Sequence, residues 1–474
     1  MVFSHLIFIY AFLPLLMVLY FISKDAGWRR GVLLIFSLVF YAWGEPIYIL
    51  LMLGSALMNY LFGLAVDQSQ PQRLRKVCIV LSVIANLALL GIFKYTGFLA
   101  KTINSLTGLG MPIPNILLPL GISFYTFQAM TYVIDVYRGY CRSQKRFDRV
   151  LLYICLFPQL VAGPIVRYVD VEEQLENRRI SAGQINAGIW RFTVGLAKKV
   201  IFSNTCGLAC TNLFASAGDT VLGNWGGILF YALQIYFDFS GYSDMAIGLG
   251  HMFGFVFPEN FNYPYISRSV TEFWHRWHMT LSRWFRDYLY IPLGGNRCSK
   301  PRWLLNILIV WMLTGLWHGA SWNFVLWGLY YAFFLILEKT LLQNILPKIP
   351  SALRHIGTLL VVLVGWALFY FEDGQVFVGI GKLFGIGTAS FSSAYTESML
   401  YENGLLLIAA MICSTPLGHT IFEALRNFMR RRIGFQSAYN ADRLIKTALI
   451  LILLFICTLR LAGDSFNPFI YFKF

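Results

Sequence analysis

The chain has 474 residues, 57% hydrophobic and 13% charged, with a mean hydropathy of +0.61. This is more apolar surface than one soluble core can hide, which excludes an ordinary soluble enzyme and places the chain in a bilayer. The net charge of +15 does not mark a nucleic-acid binder, because the Lys and Arg residues fall in short loops between apolar segments and follow the positive-inside rule.

The first apolar run, "LIFIYAFLPLLMVLYFI" (6–22), is about long enough to cross the roughly 30 Å hydrocarbon layer. No basic region precedes it and no small-residue cleavage site follows, so it is expected to remain in the mature protein. Basic loops follow at Lys24, Arg29 and Arg30, at Arg73, Arg75 and Lys76, and at Arg138, Arg142, Lys145, Arg146 and Arg149. Two apolar segments hinged at Gly44-Glu45-Pro46 separate the first two loops, and two more, around 77–99 and 114–136, separate the second from the third. Even numbers of crossings put all three loops in the cytoplasm and the N-terminus outside. "LFPQLVAGPIVRY" (156–168) carries two prolines and a glycine, so it is predicted to be a broken or re-entrant piece rather than a plain span. The stretch 263–297 mixes aromatics with Arg, His, Glu and Asp too densely for a lipid-facing helix, and is expected at the interface or lining a cavity. Arg426, Arg430, Arg431, Arg432, Arg443 and Lys446 mark a cytoplasmic loop before the last apolar run, 444–459. One crossing then places residues 464–474, a short aromatic tail, outside. The expectation is an all-α polytopic protein: a single membrane domain, 1–474, with roughly eleven transmembrane helices and some re-entrant or interfacial ones.

Eight cysteines lack any paired metal-ligand spacing. Cys206 and Cys210 are read as packing residues, and no metal site is expected. Two histidines carry the candidate chemistry. His318 lies in the otherwise apolar "LTGLWHGASWNF" (313–324) and His278 in "FWHRWHMTLS" (273–282). An ionisable side chain at membrane depth usually faces a cavity, and imidazole can take a proton from a hydroxyl and return it to a leaving group. Gly319 is expected to leave room for a substrate beside His318, and His275 to share a helical face with His278. Asp238 and Asp244 in "IYFDFSGYSDMAIGLG" (235–250), with Arg276, Trp277, Arg286 and Asp287, form a candidate supporting network, with the aspartates paired to Arg276 or Arg286. Gly241, Gly248, Gly250, Gly294 and Gly295 fit tight helix contact or a narrow tunnel.

Five segments, "LLPLGISFYTFQAMTYVIDVYRG" (117–139), "FPQLVAGPIVRY" (157–168), "YFDFSGYSDMAIGLG" (236–250), the run 259–297 and "LTGLWHGASWNF" (313–324), taken in this order, resemble the membrane-bound O-acyltransferase family, in its bacterial alginate, peptidoglycan and polysaccharide O-acetylation branch. The resemblance implies a bundle around a central tunnel where two histidines meet. It matches His318 to the family's essential histidine and His278 to its second polar position. It further implies a bacterial inner-membrane enzyme with no permanent cofactor, drawing on a cytoplasmic thioester such as acetyl-CoA. The acetyl group would reach an extracytoplasmic polysaccharide through a separate acetyltransferase partner. Within the family, the D-alanyl transferase of teichoic acid modification is similar around both histidines. His318 is assigned as base and His278 as orienter or oxyanion stabiliser.

Two readings compete: a transporter or flippase for a polysaccharide precursor, and a scaffold that recruits a secreted transferase. The tail "SFNPFIYFKF" (465–474) is either an aromatic belt at the outer interface or, by folding back into the tunnel mouth, the carrier of an acyl acceptor, the Tyr471 hydroxyl.

Overall fold

The computed structural model describes residues 1–161, 163–215, 219–388, 390–433, 435–463, 466–467 and 470. Among them the protein is all helix, with no strand. Tyr48–Ala65, Gln72–Thr107, Ser351–Tyr370 and Tyr439–Gly463 are long and apolar enough to cross a membrane, and a fifth span arises if the pair Gly404–Cys413 and Leu417–Arg432, bent by 66°, crosses as one. This is fewer than the roughly eleven read from charge placement. The reason is physical: helices packed inside protein need not be uniformly apolar, and Val221–Met252 carries Gln234, Asp238, Ser240 and Ser243, all buried.

The predicted punctuation is present. Ala26–Gly44 ends and Tyr48–Ala65 begins four residues later, across the Gly44-Glu45-Pro46 hinge. Asp25 starts the first of these by accepting the Trp28 amide at 2.7 Å. The segment 156–168 is broken, with one helical turn at Phe157–Leu160 and non-helical chain from Gly163 to Arg167. The apolar run at 114–136 differs from expectation, since its helix starts only at Ile122. The prolines at 112, 114 and 119 lack amide donors and keep the chain before it extended.

Contacts divide the chain into two units, Met1–Phe192 with Met245–Pro258, and Thr193–Asp244 with Glu259–Phe474. The first is built on an aromatic cluster. Phe8, Phe40 and Phe157 lie with ring centroids 5.6–6.2 Å apart, and Phe3 and Phe12 join them. Two of its buried polar side chains satisfy one another: Asn59 and Asn86 exchange amide hydrogen bonds at 3.0 and 2.8 Å between neighbouring helices. At Gly188 and Gly248 helices touch backbone to backbone, and a Cβ at 248 would lie 2.6 Å from the Gly188 carbonyl oxygen.

The second unit carries the residues of interest. Its core gathers Tyr236, Phe273, Trp277, Trp327, Tyr331 and Trp366. Cys206 and Cys210 are buried in that core, as packing residues. Lys300–His318 and Trp322–Lys339 cross at two glycines, where a Cβ on Gly315 would overlap the Phe324 carbonyl and one on Gly328 the Trp311 carbonyl. This close approach fixes the end of the first helix, which is His318.

Candidate functional site

His278 sits between two short helices, Val270–Arg276 and Met279–Phe285. Ser269 starts the first by accepting the Glu272 amide at 3.0 Å. The Glu338 carboxylate reinforces that start, taking the amides of Val270 and Thr271 and the Thr271 hydroxyl at 2.5–2.9 Å. At the junction His278 adopts a left-handed backbone, φ 44° and ψ 53°, uncommon for a residue with a Cβ and characteristic of functional corners. The expected shared face of His275 and His278 is therefore absent, because the helix ends at Arg276.

Asn260 holds the imidazole. Its Oδ1 accepts the Thr280 amide at 3.3 Å and the Thr280 hydroxyl at 2.9 Å, and lies 3.0 Å from His278 Nδ1. An oxygen already accepting from an amide is an acceptor for the ring too, so Nδ1 carries the proton in neutral His278 and Nε2 carries the lone pair. Asn260 is itself fixed through its Nδ2, which donates to Ser243 at 3.1 Å, and through its carbonyl, which accepts the Met279 amide at 3.0 Å. Nε2 is buried and has no hydrogen-bond partner among the described residues.

His278 lines a cavity of about 390 Å³ together with Ser282, Arg283, Thr314, Trp311 and His275. A second cavity of about 680 Å³ shares Arg286, Tyr290 and Lys339 with the first and adds Lys300. The dense stretch 263–297 thus lines a cavity, as expected, and the cavity has a cationic side. His318 does not line it, but Thr314, one turn earlier on the same helix, does. The two histidines approach across Trp317, whose ring centroid is 5.9 Å from that of His278 and 5.0 Å from that of His318. His318 is walled further by Trp327 and Phe369, at 5.0 and 5.4 Å. The space beside Gly319 is not open: the Phe324 ring occupies it, and a Cβ there would overlap that ring.

The aspartates are paired, but with neighbours other than those expected. Asp238 meets Lys199 at 2.7 Å and Asp244 meets Lys198 at 2.7 Å. Arg276 instead bonds Glu272 at 3.0 Å and Arg286 bonds Asp287 at 2.7 Å. Each of these arginines has a carboxylate within four residues, and the lysines meet the aspartates of Val221–Met252 from the helical segment Lys198–Ser203. Trp277 packs in the core against Phe273 and Trp366. Tyr471 lies outside the described residues, as do Phe469, Phe472 and Phe474 of the predicted belt. Sequence reasoning missed Asn260, although "ENFNYP" (259–264) adjoins the histidine motif, and Lys198-Lys199, whose position inside an apolar run was the available signal.

The membrane-bound O-acyltransferase family matches over residues 142–376. The chain is 38% identical to the probable alginate O-acetylase AlgI of Pseudomonas putida over the whole of both chains. It is 40% identical to the protein of that name from Pseudomonas aeruginosa, covering 87% of this chain and 80% of the relative. With the peptidoglycan O-acetyltransferase of Helicobacter pylori it shares 32% identity, over 88% of this chain and 86% of that one.

Proposed function

Because the chain belongs to the membrane-bound O-acyltransferase family and is an O-acyltransferase, we propose that it passes an acetyl group from a cytoplasmic thioester, acetyl-CoA, across the bacterial inner membrane for O-acetylation of an extracytoplasmic polysaccharide. The acceptor class follows the alginate and peptidoglycan O-acetylating relatives. The observation that carries the reading is His278: a buried imidazole with Nδ1 held by Asn260 and Nε2 without a hydrogen-bond partner among the described residues, in a side chain that lines a cavity.

The chemistry needs a hydroxyl, a base and a place for the thioester. The phosphates of acetyl-CoA match the cationic side at Arg286, Lys300 and Lys339, and the arm bearing the thioester extends toward His278. The acceptor oxygen attacks the carbonyl carbon and its proton passes to an imidazole nitrogen. A C–O bond forms, the C–S bond breaks, and the departing sulfur takes that proton. The bonding of His278 favours Nε2 as the proton acceptor. His318 then stabilises the developing oxyanion, the reverse of the division expected from sequence. The acceptor hydroxyl is Tyr471, on a tail at the outer face. Its acetyl ester is collected by a partner transferase that modifies the polymer. The N-terminus also lies outside. The transporter and scaffold readings give way to the family assignment.

Purified protein in lipid nanodiscs, incubated with labelled acetyl-CoA, is expected to carry label on the peptide containing Tyr471, and His318→Ala and Tyr471→Phe are expected to abolish it. Equal labelling of all three proteins would remove both the histidine and the tyrosine from the reaction.

A further inference from the structure

The last long helix of the second unit ends at Gly463, and beyond it residues 467 and 470 contact that unit's own core. Asn467 accepts a hydrogen bond from Asn204 Nδ2 at 3.2 Å. Ile470 is buried in the unit's core, and its backbone N–H donates to Asp238 Oδ2 at 2.8 Å. The other oxygen of Asp238 carries the 2.7 Å ion pair with Lys199, and both side chains are almost fully buried, 1% and 3% exposed.

A buried ion pair is a weak source of stability, because taking two charges out of water costs about as much as their attraction returns. Here the pair has a second use. Lys199 holds one carboxylate oxygen, and the remaining oxygen faces a backbone amide of the C-terminal segment. A carboxylate is a strong acceptor for an amide, and the bond is indifferent to the side chain beyond it. The helix that bears Asp238 also builds the histidine site: the next residue, Phe239, sets its ring edge-on to His278 at 4.6 Å, and Ser243 holds Asn260.

We propose that Asp238, Lys199 and Asn204 form a receptor for the C-terminal segment. The receptor docks that segment by its backbone at 470 and its side chain at 467, in fixed register with the histidine site. Asp238 and Lys199 are then positioning residues for the acceptor hydroxyl, which rests on the reading of Tyr471 as that acceptor. The docked segment is the working state. The neighbouring pair, Lys198 with Asp244, joins the same two stretches of chain at 2.7 Å and is more exposed, 23% and 16%. It provides a control for the loss of an ion pair as such.

The test uses the full-length protein in nanodiscs with Asn204→Cys and Asn467→Cys together, mildly oxidised, and peptide mapping to identify the 204–467 link. The link is expected to form readily and to leave acetyl transfer intact. Adding Asp238→Ala with Lys199→Met, which removes both charges, is expected to slow cross-linking at least tenfold and to abolish loading of Tyr471 in correctly inserted protein. Lys198→Met with Asp244→Leu is expected to cross-link as the parent does. Should the double-apolar variant insert poorly, Asp238→Asn, which keeps an amide acceptor, is expected to slow cross-linking by a smaller factor. The proposal is overturned if the link does not form in the parent, forms equally fast without the Asp238–Lys199 pair, or stops transfer once formed. If the parent never loads Tyr471, the acceptor reading fails, whereas the cross-linking rates still decide the docking.

Discussion

His278 and His318 are the same side chain placed by different means. The first occupies a left-handed corner and is held by polar bonds that run through Asn260 to Ser243 and Thr280. The second ends a helix whose position is set by the glycine crossing at Gly315 and Gly328, and its ring stands among Trp317, Trp327 and Phe369. Polar anchoring selects a tautomer and a direction for a lone pair, whereas aromatic packing selects a place. Loss of a polar partner should therefore alter proton handling at His278, and a packing change should displace His318.

The largest effect comes from removing either imidazole. His278→Ala and His318→Ala are each expected to lower acetyl transfer by about 10³-fold or more, the range for a positioned acid or base, measured as the rate of label transfer by correctly inserted protein. The comparison sharpens at Asn260. Asn260→Asp keeps an acceptor for Nδ1–H and is expected to retain most of the rate, whereas Asn260→Leu loses the tautomer preference and about 10²-fold. Comparable losses in both variants would deny Asn260 its orienting part.

On the packing side, Gly319→Ala puts a Cβ into the Phe324 ring. Overpacking of this kind costs about 1–3 kcal/mol, so thermal unfolding should shift down and transfer should fall with it. Glu338→Ala strips the start of Val270–Arg276 and should cost about 1–2 kcal/mol, read as a lower unfolding temperature with a normal acetyl-CoA requirement. The smallest effect lies far from both histidines. Asp67, in the loop after Tyr48–Ala65, is held below the usual carboxylate range by hydrogen bonds from Ser143 and Ser69. A lowered value means stability fully present above about pH 4, the unfolded value, and lost as the pH falls from there through the lower folded value. Because the loop is largely exposed, Asp67→Asn should cost only about 0.5 kcal/mol at neutral pH, and the gap should close in acid.

Much of this was legible in the sequence, and the division between what was and was not has a physical basis. The break at 156–168, the hinge at 44–46 and the cavity-lining character of 263–297 follow from proline, glycine and charge density, which act over a few residues. The partners of Asp238 and Asp244 did not follow, because pairing depends on which helix faces which, and Lys198-Lys199 were not singled out. Gly319 was read as open space because a missing side chain leaves room only if no neighbour fills it, and Phe324, five residues on, does. Asn260 has no periodicity to betray it, since its work is done eighteen residues away at His278. Apolar length likewise gives a span count only for helices that face lipid.

The left-handed backbone at position 278 bears on how the site can vary. Only glycine enters that region freely, and asparagine and aspartate more easily than most. Replacement by alanine or a β-branched residue thus changes two things at once, the ring and the corner that aims the helix beginning at Met279. Asparagine changes chiefly the ring. A lineage that loses the chemistry while keeping the architecture is therefore expected to pass through asparagine or glycine here. Deep mutational scanning for membrane insertion should find those two tolerated where valine and isoleucine are not.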